Sequence, residues 1–238
     1  MQHTLSSRHC LPIGGHLVPT TASVLYPLCK HVLIGPPLRR RIDVTVIGRD
    51  NVPDDGPVII ASNHLAEIDS LMLPLAIRRR LSFLAKSEYF TGAGIRGRAA
   101  RAFFAGTGQI PVDRSGGDHA ALDAAERVLR SGRVWAIYPE GTRSPDGRLH
   151  RGHTGAMRVA SRVPGTSVVP VVISGTPDVT PAGSRRVRPG VVTVHIGEPL
   201  SADALLGPEQ NARAATDELM AAIRRLGDLA YVDEYARK

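Results

Sequence analysis

At 238 residues, with 42% hydrophobic and 22% charged positions, the chain is long enough to bury a substantial core and reads as one large α/β domain. A net charge of +8 and a pI near 10.2 allow attraction to phosphate in nucleic acid, an anionic membrane or a small substrate. An aromatic content of 4% argues against an extended base-stacking platform, and two cysteines, Cys10 and Cys29, form neither a disulfide framework nor a metal-ligand spacing, so a reducing compartment is the default.

Taken in order, the chain has no uninterrupted apolar run of the about 18 residues that a membrane span needs. The nearest approach, Leu17 to Ile34, is broken by Pro19, Pro27, Lys30 and His31, and Met1 to Gly15 lacks the basic start and apolar centre of a signal peptide. Residues 1–41 therefore read as an N-terminal segment that either lies on a bilayer surface or packs as an irregular helix on a domain formed by 42–238. Gly35-Pro36-Pro37 breaks any helix, and Arg39-Arg40-Arg41 leads into a predicted strand at Ile42–Ile47.

A turn-rich connection precedes a strand at Val58–Ala61, followed by a helix reaching about Ile77, whose C-terminus would welcome the cations Arg78-Arg79-Arg80. Further strands are expected at Leu81–Ala85, Gln109–Val112, Val134–Tyr138, Val168–Ile173 and Val191–Ile196. Helices are expected at Gly92–Ala105, at Asp118–Arg130 with Gly132 as its stop, at a short stretch after Thr154 as cap, and at Ala212–Leu226. Strands alternating with helices imply a single-domain mixed α/β sheet flanked by helices, with polar segments at several strand ends converging on one edge.

The first such segment, Asn63-His64-Leu65-Ala66-Glu67-Ile68-Asp69, contains a base and a carboxylate five residues apart. On one continuous helix, five steps of about 100° would leave them off a common face, so contact requires His64 in the turn before the helix and Asp69 on its first turn. There a carboxylate can accept a hydrogen bond from one ring nitrogen and support the imidazolium that forms when the other takes a proton. Such a spacing also recurs by chance, with a capping or surface role. Asp113 with Arg114, and Glu140 with Thr142 and Arg143, follow two further strands, and paired guanidinium groups can clamp a phosphate monoester, although each alone is explained by a surface ion pair.

Four ordered blocks resemble the glycerolipid acyltransferase family, specifically the 1-acylglycerol-3-phosphate acyltransferases, over roughly Val44 to Pro199. They are Asn63 to Asp69, Gly108-Gln109-Ile110-Pro111-Val112-Asp113-Arg114, Tyr138-Pro139-Glu140-Gly141-Thr142-Arg143-Ser144 and Val169-Pro170-Val171-Val172-Ile173. The resemblance implies His64 as catalytic base with Asp69 as its partner, and substrate phosphate held by Arg114, Glu140, Gly141, Thr142 and Arg143, with Lys86 matching a further phosphate-facing lysine. It also implies no cofactor or metal, acyl-CoA or acyl carrier protein as co-substrate, a lysophospholipid acceptor, and peripheral attachment to the cytoplasmic side of the cell membrane. Pro111 stands where the family usually has a bulky residue and Tyr138 where Phe is commoner; neither removes a reactive group, but both alter pocket shape.

No Gly-x-Ser-x-Gly elbow is present and both cysteines precede the motifs, which disfavours an acyl-enzyme. The rival readings are an acyltransferase for glycerol 3-phosphate or another lysophospholipid, a non-catalytic basic protein on membrane or nucleic acid, and a metal hydrolase built on His64, Asp69, His150 and His153.

Overall fold

The computed structural model describes residues 21–86, 94, 97–98, 109–112, 118–181, 183–184 and 186–237. Its strands are β1 (Ile42–Ile47), β2 (Val58–Ser62), β3 (Leu81–Lys86), β4 (Gln109–Val112), β5 (Val134–Ile137), β6 (Leu149–His150), β7 (Ser167–Ser174), β8 (Gly190–Ile196), β9 (Leu200–Ser201) and β10 (Tyr231–Val232). Its helices are α1 (Thr21–Leu28), α2 (Gly35–Arg39), α3 (Asp69–Ala76), α4 (Asp118–Arg130), α5 (Gly155–Ala160), α6 (Thr176–Val179), α7 (Ala202–Leu206) and α8 (Ala212–Gly227).

The main sheet runs β1-β8-β7-β2-β5-β3-β4, with β9 pairing β7. Strands β7, β2, β5, β3 and β4 are mutually parallel, while β8 meets β7 antiparallel and β1 lies parallel to β8. Every residue of β2 is buried, as expected of a central parallel strand covered on both faces. Alternation sorts its side chains between two cores. Val58 and Ile60 pack with Ala136, Val171 and α3, through Met72 and Leu73, whereas Ile59 and Ala61 pack with Trp135, α4, α5 and α8.

The parallel arrangement brings the ends of β2, β3, β4 and β5 to one edge of the sheet, the place where polar segments follow each strand. Most elements fall where expected. The amphipathic stretch Gly92–Ala105 lies largely outside the described residues, and Thr154 occupies the N-cap of α5 without a capping hydrogen bond from its side chain.

The N-terminal segment differs from expectation in an instructive way. Gly35-Pro36-Pro37 does end one helical stretch, a π turn over Cys29–Leu33, yet it also starts α2, because proline at the first helical positions gives up an N–H that has no partner there anyway. The described part of the segment, residues 21–41, packs on the domain: Tyr26 and Cys29 are buried, and the Tyr26 hydroxyl accepts the Leu81 N–H at 3.2 Å. The free carbonyls at the end of α3 are taken not by the arginine run that follows but by this segment, with Lys30 Nζ donating to Ile77 O and Arg39 to Leu75 O at 3.2 Å. The arginines instead tie loops together. Arg78 pairs with Asp50 at 2.7 Å, Arg79 donates to the carbonyls of Pro53, Gly56 and Gly132, and Arg80 lies over the Tyr26 ring.

Burial, followed by the charges of Arg39 and Arg49, lowers the Lys30 pKa from 10.5 to about 8. The folded chain therefore releases this proton before the unfolded chain does, so the contribution of Lys30 to stability rises between pH 8 and 10.5. Denaturant unfolding across that window should show the wild type gaining on Lys30→Met as pH rises; parallel curves would refute the coupling.

Candidate active site

The site is built where β2 ends. Asn63 is buried, and its side-chain amide mimics one more residue of strand pairing, donating to Ile173 O at 3.0 Å and accepting the Ile173 N–H at 2.8 Å. His64 follows in the irregular segment before the helix, and Asp69 opens α3, the arrangement that the five-residue spacing requires. His64 Nδ1 lies 2.8 Å from Asp69 Oδ2, which also accepts the N–H groups of Leu65 at 2.7 Å and Ala66 at 2.9 Å. One carboxylate oxygen thus closes the turn and orients the ring, and among the described residues Nε2 of the imidazole has no hydrogen-bond partner. Asp69 is completely buried, and its Oδ1 has no hydrogen-bond partner among the described residues.

The segment after β5 grips the same turn. Glu140 is 1% exposed, and its carboxylate spans two loops, Oε1 accepting the His64 N–H at 3.2 Å and Oε2 the His150 N–H at 2.9 Å. Ser144 N–H donates to His64 O at 2.7 Å, so both backbone polar groups of His64 are held by this one segment. Burial raises the Glu140 pKa, while the N–H bonds from His150 and His64 pull it back in part. Gly141 adopts φ +74°, and a Cβ there would meet His153 Cδ2 at 2.9 Å, so both conformation and space demand glycine.

Arg143 is 48% exposed at the mouth, with Nη1 3.2 Å from Glu67 Oε1, and Thr142 lies half-buried beside it. Lys86 ends β3 opposite Val112 of β4, but its side chain lies outside the described residues, as does Arg114 entirely. His150 and His153 turn elsewhere, His150 Nε2 to Asp146 at 3.0 Å and His153 onto the Tyr235 ring at a centroid distance of 4.5 Å. Among the described residues no three His, Cys, Asp or Glu side chains gather as metal ligands.

Two contributors carried no separate signal in the sequence. Asn63 sits inside the first block, but its pairing with Ile173 becomes visible only once β2 and β7 are neighbours. The C-terminal tail supports the site from behind, with β10 pairing β6 and Glu234 O accepting the Arg151 N–H at 3.1 Å, which fixes the loop that donates to Glu140.

A mixed, mostly parallel sheet flanked by helices, with a histidine–carboxylate pair and an arginine-bearing loop at the carboxyl edge, defines an α/β domain of acyltransferase type. A family model described as Acyltransferase matches residues 43–174, and the chain belongs to that family.

Among curated relatives, a chloroplastic 1-acyl-sn-glycerol-3-phosphate acyltransferase of Arabidopsis thaliana is 31% identical over 74% of this chain and 49% of its own length. One from Chlamydomonas reinhardtii is 30% identical over 76% and 52%, so this chain spans about half the length of those two proteins. The 1-acyl-sn-glycerol-3-phosphate acyltransferase of Bacillus subtilis is 29% identical over 85% of this chain and 96% of its own. The crystal structure of the 1-acyl-sn-glycerophosphate acyltransferase of Thermotoga maritima is similar at a TM-score of 0.60, with 26% identity over 78% of this chain and 72% of that one.

Proposed function

We propose that the chain transfers an acyl group from an acyl thioester, acyl-CoA or acyl carrier protein, to the free hydroxyl of a 1-acylglycerol 3-phosphate, giving phosphatidic acid. The observation that carries the reading is His64 Nδ1 held 2.8 Å from a fully buried carboxylate, with Nε2 left as the proton acceptor. Nε2 removes the hydroxyl proton as the oxygen attacks the thioester carbonyl; the C–S bond breaks, and the imidazolium returns its proton to the departing thiolate. A buried carboxylate gains from a cation beside it, which favours the imidazolium formed during attack. The relatives whose names carry this activity support the choice of acceptor.

Arg143 is the phosphate ligand, assisted by Arg114 and Lys86, the phosphate displacing Glu67 from the guanidinium. Gly141 and Thr142 line the same loop. Glu140 supports the histidine turn rather than touching the phosphate, because both its oxygens already accept N–H groups and its charge would repel an anion. Residues 42–238 form the catalytic domain. Residues 1–41 meet the cytoplasmic face of the membrane through Leu28, Val32 and Leu33, which are 40%, 58% and 57% exposed. Among the described residues no helix is long and apolar enough to cross a membrane.

The test is thiol release from acyl-CoA and from acyl carrier protein with lysophosphatidate, glycerol 3-phosphate or no acceptor. Release that requires lysophosphatidate supports the reading; a preference for glycerol 3-phosphate would replace the acceptor, and release from neither donor would overturn it. Arg143→Ala should raise KM for lysophosphatidate about 10- to 100-fold, the worth of charged hydrogen bonds to one phosphate, with a smaller effect on kcat. An unchanged KM would remove Arg143 from the phosphate site.

A further inference from the structure

The imidazole of His64 has a second neighbour besides Asp69. The Tyr138 ring lies parallel to it, with centroids 3.9 Å apart and planes inclined by 10°. The Tyr138 hydroxyl is 3.1 Å from Ser70 Oγ, and Ser70 directly follows Asp69 on α3. Phe83 of β3 packs against the tyrosine at 6.1 Å, so the ring is braced from the adjacent strand. Burial, then the Asp69 charge, push the phenol's pKa well above 10, which keeps the hydroxyl protonated and able to hydrogen-bond with Ser70.

We propose that Tyr138 is a positioning residue: its ring is the platform on which the His64 imidazole rests, and its hydroxyl ties that platform through Ser70 to the helix that carries Asp69. Imidazole, carboxylate and platform then move as one body. Asp69 holds one edge of the ring through Nδ1, but a single hydrogen bond restrains the tilt of the ring about its Cβ–Cγ bond only loosely. A parallel aromatic face removes that freedom and keeps Nε2 aimed. The face also interacts favourably with the imidazolium formed during proton transfer, since a π face attracts a cation. A phenylalanine at this position would supply the platform without the tether, so the tyrosine noted in the sequence is a functional addition.

Among the described residues, the charged and titratable groups around the imidazole are Asp69 on α3, Tyr138 itself, and Glu140, which reaches only the backbone N–H; Glu67 and Arg143 pair at the mouth. The proposal rests on His64 being the base, and the experiment separates the two. In the full-length protein, NMR should find the His64 ring protons shifted upfield by the facing tyrosine, in the wild type and in Tyr138→Phe alike. This signature is independent of any activity, and its absence would overturn the platform.

Kinetically, Tyr138→Leu should lower kcat about tenfold, the upper part of what an aromatic pair is worth, with KM for both substrates nearly constant. The acid limb of its pH profile should move down by about half to one unit, because the imidazolium has lost a favourable neighbour. Tyr138→Phe should restore kcat to within about threefold and return the acid limb to its wild-type position, with Ser70→Ala matching it. A Phe variant as impaired as Leu, or a Leu variant with an unmoved acid limb, would overturn the role assigned to the ring. If His64→Ala remained active while the upfield shift was present, the stack would stand and the base assignment would fall.

Discussion

His64→Ala should lose about 10²- to 10⁴-fold in kcat while KM for lysophosphatidate stays within a small factor, because the imidazole supplies proton transfer rather than binding. The direction follows from the geometry. Asp69 Oδ2 closes the turn through the N–H groups of Leu65 and Ala66 whether or not the imidazole is present, so the turn and the mouth of the site should survive the truncation. His64→Gln is the sterner companion, since it keeps bulk and polarity without a base of useful strength. Stopped assays of thiol release at saturating donor would read both variants. Residual activity within tenfold of the wild type would show that another group, or water alone, accepts the proton. Loss of Asp69 is a different experiment: the one oxygen of Asp69→Asn can still accept the three donors that Oδ2 accepts, but the variant removes the anion and puts an NH₂ donor at the buried Oδ1 position, so it should lower kcat with the turn largely kept.

Much of this is legible in the sequence itself. The five-residue spacing of His64 and Asp69 forbids a shared helix face and so demands a turn followed by a helix start, and α3 begins at Asp69. The apolar runs at β2, β5 and β7 read as strands in the sequence, and the sheet order supplies the reason they lack alternation: both of their faces are covered.

What escaped the sequence were long-range uses of ordinary residues. Glu140 reads locally as part of a phosphate loop, and only the adjacency of β2 and β5 reveals a carboxylate shared between the N–H groups of His64 and His150. Lys30 and Arg39 look like surface cations until α3 is seen ending beneath them, and Arg78 to Arg80 look like that helix's natural partners until Ile77 turns extended and carries them toward other loops. Periodicity reports which face a residue occupies; it carries no information on which distant backbone groups will need a partner.

Glu140→Gln is the variant in which these long-range contacts can be weighed against the chemistry. The glutamine is isosteric, yet its amide has one acceptor oxygen where the carboxylate has two, so one of two N–H groups, on His64 or on His150, must face an NH₂ donor. A shift of the His64 turn by a fraction of an ångström follows. Since a misplacement of about 1 Å can cost about 10²-fold, kcat should fall by up to that factor with the imidazole and Asp69 chemically intact.

Stability should respond differently. Burial raises the Glu140 pKa in the folded chain above its ordinary 4.5, so the folded state holds this proton more tightly than the unfolded state. Its contribution to stability is therefore fully present below pH 4.5 and declines as pH rises through the raised value. Glutamine does not titrate, so the wild type's stability relative to the variant should diminish across the same interval, even as its advantage in activity persists at neutral pH. Urea midpoints at a series of pH values, set beside kcat measured at neutral pH, would separate the two effects. A wild-type kcat in a variant of altered pH–stability slope would mean that Glu140 merely carries a buried charge, whereas a large loss of kcat with a shallow change in midpoint would identify its two N–H bonds as the means by which the loop after β5 aims His64.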